Sequence, residues 1–162
     1  MKIISVKEPN ASQVLQMHQI NQENTPEVGD VSDINDFKTL ISYSEHILIA
    51  KNEKGLVGFM LCMKENKPYK SKNYLYLSER YKKFLYIDRI AVRKEYRRSG
   101  IGKNIYGKIM ESAELLKVPL LCEVNTRPKN IPSLSFHQAM GFIEIGENNF
   151  ESYSVVYLKR GI

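Results

Sequence analysis

The segment with the most chemistry in it runs Ile90-Ala91-Val92-Arg93-Lys94-Glu95-Tyr96-Arg97-Arg98-Ser99-Gly100-Ile101-Gly102-Lys103. An apolar run ends, cations follow, and two glycines one residue apart open what reads as a helix. The first turn of a helix leaves its N–H groups without partners, and those groups together with the helix dipole favour an anion. Glycine lets a ligand approach the backbone closely, while Arg97, Arg98 and Lys103 can add charge-assisted contacts to phosphate oxygens. The segment lacks the Gly-Lys-Ser/Thr ending of a Walker A loop and the spacing of a dinucleotide fingerprint. Taken alone, it also fits an ordinary strand-to-helix turn with a solvated cationic face.

A second constellation lies downstream, in Cys122-Glu123-Val124-Asn125-Thr126-Arg127-Pro128-Lys129-Asn130 and then Ser133, Phe136, His137, Gly141 and Phe142. Asp88 and Glu123 fall on the two strand-like runs that flank the glycine loop, where burial would raise a carboxylate's pKa into the range of a useful base. Asp88 beside Arg89 equally suits an ion pair, and Glu123 a bond to backbone. Five of the ten tyrosines (Tyr69, Tyr74, Tyr76, Tyr81 and Tyr86) fall between residues 69 and 86. They suit either an aromatic wall for an amine cation or an amphipathic element using tyrosine as core filler.

The elements that must position these groups follow from period and punctuation. Strands are expected at Lys2 to Val6, His46 to Lys51, Leu56 to Lys64, Phe84 to Val92, Leu120 to Asn125, Phe142 to Ile145 and Phe150 to Lys159, the last two joined by a turn at Gly146 to Asn149. Helices are expected at Ala11 to Gln22, Asp33 to Tyr43, Ser71 to Lys82, Gly100 to Lys117 and Pro132 to Met140. The order predicts one mixed α/β sheet with helices on its faces, and a right-handed crossover would make Phe84 to Val92 and Leu120 to Asn125 parallel neighbours. With no repeat or linker, residues 1–162 read as a single domain.

Arg97-x-x-Gly100-x-Gly102 after a strand, followed by Asn130-x-x-Ser133-x-x-Phe136-His137-x-x-x-Gly141-Phe142, resembles the GNAT superfamily of acyl-CoA-dependent N-acyltransferases. Asp88-Arg89-Ile90, Glu123-Val124-Asn125 and Pro128-Lys129-Asn130 are similar to a little-characterised branch of it. The resemblance covers residues 73 to 146 and implies about seven strands with four to five helices, splayed between strands 4 and 5 around acetyl-CoA. It implies that backbone from Ile90 through Ala91 to Val92 holds the pantetheine and that Arg97, Arg98, Ser99, Gly100, Ile101, Gly102 and Lys103 hold the pyrophosphate. Asn130, Ser133 and His137 would complete the cofactor site, and Tyr81, Tyr86 and Asn125 would face the acceptor. The implied reaction is transfer of an acetyl group to the amine of a small molecule, peptide or protein by direct attack on the thioester. Glu123 or Asp88 would be the base, and a backbone N–H near Ile90 the oxyanion donor. His137 stands where the superfamily commonly has a tyrosine acid; it would protonate the thiolate or pack beneath the cofactor.

The net charge of +6 favours an anionic partner. No run approaches the roughly 20 apolar residues of a membrane span, the opening residues do not read as a secretory signal, and Cys62 and Cys122 sit in apolar runs. The expectation is a metal-free cytoplasmic enzyme with reduced cysteines that pairs as a homodimer through its last strands. The rivals are a non-catalytic CoA-binding regulatory module and a basic nucleic-acid-binding domain, which would lack base-stacking motifs.

Overall fold

The structure is a computed structural model that describes residues 1–162. Its elements run β1 (Lys2–Ser5), α1 (Ala11–Glu23), α2 (Ile34–Tyr43), β2 (His46–Asn52), β3 (Gly55–Lys64), α3 (Lys72–Ser78), β4 (Leu85–Val92), α4 (Ile101–Leu116), β5 (Leu120–Arg127), α5 (Ile131–Ala139), β6 (Ile143–Asn149) and β7 (Ser154–Arg160), with a single 3-10 turn at Lys94–Tyr96 between β4 and α4. The seven strands form one sheet in the order β1-β2-β3-β4-β5-β7-β6. β4 and β5 are its one parallel pair, and every other neighbour is antiparallel.

Alternation along the strands splits the apolar residues into two layers. Phe59, Leu61, Tyr86, Leu121, Val155 and Tyr157 pack under α1, α2 and α3. Met60, Leu85, Ile87, Cys122, Val124 and Val156 pack under α4 and α5, where Ile101, Ile105 and Ile109 come up at helical spacing. Both cysteines are buried and unpaired. No helix is long and apolar enough to cross a membrane.

The larger departures from expectation lie at α3 and in the C-terminal hairpin. α3 stops at Ser78 rather than Lys82, because Arg80 and Tyr81 both donate to the Leu77 carbonyl and turn the chain so that Phe84 enters the core. β6 runs through Gly146 to Asn149, so the β6–β7 turn lies at residues 150–153. Gly146 therefore belongs inside the strand, beside a register shift and beneath Tyr76, whose hydroxyl any Cβ placed there would overlap. Glycine at this point marks a close approach between elements.

The feature that most shapes the site is a bulge in β4. Leu61 pairs with Arg89 and Cys62 with Ile87, leaving Asp88 as an extra residue. The bulge shifts the alternation by one, so that Leu85 and Ile87 before it and Ile90 and Val92 after it share the α4 face. Asp88 and Arg89 both turn to the α1 face, where they meet Tyr69 and Asn21.

Candidate active site

β4 and β5 pair only at Leu85 with Leu120 and Tyr86 with Leu121, and beyond these the two strands part. β5 stays bound to β7 as far as Arg127, and β4 to β3 as far as Val92, so each strand is anchored on its outer side while a cleft opens between them. Arg93 donates its N–H to the Val57 carbonyl at 2.8 Å. By the alternation of an antiparallel ladder, Ala91 and Arg89 also turn their peptide groups to β3, and Ile90 and Val92 turn theirs toward the cleft. The Val92 carbonyl accepts there from Asn24 Nδ2 at 3.2 Å.

At the mouth of this cleft α4 begins. Its N-cap, Gly100, has φ +85°, and Arg98 has φ +61°. Left-handed backbone turns successive peptide groups into a concave nest. Six consecutive N–H groups, from Arg98 to Lys103, donate to no acceptor within the chain; the first amide of this stretch with an internal partner is that of Asn104, bound to the Gly100 carbonyl. A Cβ built on Gly100 or Gly102 meets nothing within 4 Å, so the space in front of the nest is open. Ile101 and Ile105 are buried and fix the helix to the sheet, while Arg98 and Lys103 stand exposed and enter no ion pair. Arg97 instead donates to Asn24 Oδ1, and the Ser99 hydroxyl to the Tyr96 carbonyl; both brace the loop. An elongated ligand with an anionic end fits a parallel cleft that terminates in such a nest.

On the α1 face of the cleft stand the carboxylates. Glu123, half-buried, accepts a hydrogen bond from the Tyr86 hydroxyl at 2.6 Å. Burial pushes its carboxyl up to about 8, with the nearby Asp88 charge adding to the rise and the Tyr86 hydroxyl opposing it. Asp88 has both oxygens engaged, one by the Tyr69 hydroxyl at 2.7 Å and the other by Arg89 Nε at 2.8 Å. Arg89 Nη1 reaches on to Asn21 Oδ1 at 3.0 Å and the Gly29 carbonyl at 3.1 Å, tying the α1–α2 connection to the bulge. Asn125 shares the face of Glu123 two residues along β5, and its carbonyl accepts from the Asn130 N–H.

His137 lies on the other face, buried against α4. Its Nδ1 lies 2.7 Å from the Ser133 carbonyl, which can only accept, so Nδ1 carries the proton. Nε2 therefore accepts from the Tyr106 hydroxyl at 2.6 Å. Burial lowers the His137 pKa and so favours the neutral ring, with the Ser133 carbonyl opposing. Asn130 caps α5 through the Ser133 N–H at 3.2 Å.

Of the residues expected in the site, Tyr86, Asp88, Ile90, Val92, Glu123 and Asn125 come together at the cleft, and Arg97 to Lys103 at its mouth. Tyr81 does not join them: its ring lies 5.5 Å from Lys159 Nζ, at the closed end, where it helps line a cavity of about 320 Å³ with Glu65 and Phe84. Four partners escape the sequence reading: Tyr69 on Asp88, Asn21 on Arg89, Tyr106 on His137 and Asn24 under Arg97. Tyr106 had a signal, since it sits beside Ile105 on the apolar stripe of α4. Asn24, at the C-terminus of α1, had none, because its partners lie 68 and 73 residues away.

The sequence of residues 14–142 matches the acetyltransferase (GNAT) family. No curated protein sequence matches the chain. Among solved structures it superposes on the ribosomal-protein-S18-alanine N-acetyltransferase from Escherichia coli with a TM-score of 0.75 at 14% identity, covering 99% of this chain and 93% of that one. The ribosomal-protein-alanine N-acetyltransferase from Brucella melitensis gives 0.72 at 17% identity with all of both chains covered. A chain of the NatC complex bound to Gag peptide and CoA gives 0.71 at 15% identity, covering 100% of this chain and 99% of that one. A mixed sheet splayed at its one parallel pair, with a glycine nest at the mouth, defines an acyl-CoA N-acyltransferase fold. The chain belongs to the GNAT acetyltransferase family, and that family uses acetyl-CoA.

Proposed function

We propose that this acetyltransferase binds acetyl-CoA in the β4–β5 cleft and transfers the acetyl group to the primary amine of a small molecule or polypeptide by direct attack. The observation that carries the reading is the run of six unpartnered N–H groups, residues 98–103, at the open end of the one parallel strand pair. In this reading those amides, with Arg98 and Lys103, hold the pyrophosphate. The peptide groups of Ile90 and Val92 hold the pantetheine arm. Bound there, acetyl-CoA supplies an activated acyl group.

Glu123 is the base. An acceptor amine arrives as an ammonium ion and must lose a proton before it can attack, and a carboxylate held near pKa 8 is matched to that proton. Tyr86 fixes the orientation of the carboxylate. Asp88, with both oxygens held by Tyr69 and Arg89, shapes the bulge and secures the α1–α2 connection. The N–H of Ile90, turned into the cleft, is the oxyanion donor. His137, neutral and bonded at both nitrogens, positions Tyr106 and α5 beneath the cleft, and the departing thiolate is protonated from solvent. Residues 1–162 act as one unit in the cytoplasm, in keeping with two free buried cysteines. The free edge of β6 is where two copies would pair.

The test is thiol release from acetyl-CoA across a panel of amines and peptides with free N-termini. The reading predicts amine-dependent CoA release with acetylated product detected by mass. CoA binding without turnover on any acceptor would favour the regulatory module, and absence of CoA binding would refute the reading.

A further inference from the structure

Two neighbouring residues at the end of α1 each meet an arginine from the loop between β4 and α4, and they do so with different chemistry. Glu23 Oε1 pairs with Arg93 Nη1 at 2.8 Å, which neutralises that cation. Asn24 Oδ1 accepts from Arg97 Nη2, and Arg97 enters no ion pair. Arg97 is exposed, and its Nε and Nη1 have no acceptor within the chain. An amide oxygen fixes a guanidinium in place and leaves its full charge uncancelled, whereas a carboxylate at the same point would cancel it.

Asn24 is itself buried, with 6% of its surface exposed, and every polar position of its side chain is engaged. Its Nδ2 donates to the Ile20 carbonyl at 2.7 Å, one turn back in α1, and to the Val92 carbonyl at 3.2 Å. The reversed amide would set NH2 against the guanidinium and oxygen against two carbonyls, so only one orientation satisfies the site. The side chain thus joins the last carbonyl of β4 to the cation that precedes the nest. Between those points the chain runs through residues 93–96 and the 3-10 turn, closed by a long bond from the Arg97 N–H to the Lys94 carbonyl at 3.3 Å. A bond of that length restrains the loop weakly, and the spacing of its two ends is set from α1.

We infer that Asn24 is a positioning residue for acyl-CoA: it keeps Arg97 as an uncancelled cation before the nest and fixes that cation against the peptide group of Val92. The inference rests on the acetyl-CoA reading and adds to it a residue from α1. Pantetheine and diphosphate are parts of one covalent chain, so a donor lying along β4 reaches the nest only if the two halves of the site are correctly spaced. Asn24 acts through Val92 and Arg97, and an aspartate in its place would hold the arginine while removing its charge from the diphosphate.

The test is a double-mutant cycle read by calorimetric titration with CoA, comparing the parent, Asn24→Ala, Arg97→Ala and the double variant, with denaturant unfolding measured alongside. Asn24→Ala is expected to weaken CoA binding about tenfold in the parent and clearly less in the Arg97→Ala background, as residues in one hydrogen-bond network do. A purely structural role would lower the unfolding stability with CoA affinity unchanged, or weaken binding by the same factor in both backgrounds. Either result overturns the inference. Should the alanine variant fail to fold, Asn24→Asp, nearly identical in size, carries the test. Its carboxylate cancels Arg97 and offers the Val92 carbonyl no donor, so CoA binding should weaken and should depend less on salt than in the parent. Affinity or salt dependence equal to the parent's would overturn the inference. A parent that binds CoA with an additive cycle refutes this inference alone, whereas a parent that does not bind CoA refutes the acetyl-CoA reading with it.

Discussion

Glu123 and His137 present opposite chemistry across one cleft. Burial raises the Glu123 carboxyl to about 8 and lowers the His137 imidazole, so near neutral pH both are mostly uncharged. The rate should therefore follow the loss of the Glu123 proton. With saturating acetyl-CoA, kcat/KM for the acceptor is expected to rise with pH and level off above about 8, with the limb at the same pH for two amines of different basicity. Glu123→Gln should remove the limb and lower the rate by about 10²- to 10⁴-fold, the usual worth of a general base. A limb that moves with the amine, or survives the substitution, assigns it to the substrate. Tyr106→Phe leaves the buried Nε2 of His137 without its donor and should cost about 1–3 kcal/mol in denaturant unfolding, while the pH profile keeps its shape. A new or vanished limb between about pH 6 and 9 would return His137 to the proton-transfer path.

At the scale of elements, β4 and α4 do most of the positioning. The bulge at Asp88 left only an ambiguous trace: Ile87-Asp88-Arg89-Ile90 sets two polar residues side by side and breaks the period-2 alternation, and only the register against β3 reveals that the break is an extra residue. The nest was legible, because two glycines after cations at a strand end are a local signal that needs no distant partner. The C-terminal hairpin was misread for the opposite reason. Gly146-Glu-Asn-Asn has the composition of a turn, yet all four residues pair with β7, and Tyr76 packs closely over Gly146. That packing makes a prediction. Gly146→Ala forces Tyr76 off its stack on Tyr157 and should destabilise the fold by about 1–3 kcal/mol, and Tyr76→Phe, which removes the obstructing hydroxyl, should restore most of it. A Gly146→Ala protein as stable as the parent in chemical denaturation would contradict the close approach.

For the whole molecule, the perturbed Glu123 gives stability a pH dependence whose sign can be worked out. Its folded pKa of about 8 lies above the unfolded value near 4.3, so the folded state holds more protons between them. The contribution is fully present below about pH 4 and is lost as pH rises through about 8. Glu123→Gln should therefore gain Tm relative to the parent at about pH 9 compared with about pH 5. The gain is a few kcal/mol at most, because solvent reaches the cleft. A difference in Tm that is flat across that range would place Glu123 in ordinary solvent. One mixed sheet with helices on its faces and the parallel neighbours β4 and β5 were legible from pattern, whereas the place of β7 between β5 and β6 was not. The contacts joining α1 to the cleft through Asn21 and Asn24 were not, because single asparagines with partners some 70 residues away leave no trace in local sequence.

The whole account turns on the amides at the start of α4 holding a diphosphate. Calorimetric titration of CoA into the parent protein and into Gly100→Asp tests this directly. The substitution places a side chain and a negative charge in the open space before the nest, at φ +85°. The parent is expected to bind CoA, and the variant, folded by circular dichroism, to lose about 100-fold or more in affinity, through the clash of charges and the strain of a non-glycine residue there. Equal affinity for CoA in the two proteins would contradict the account.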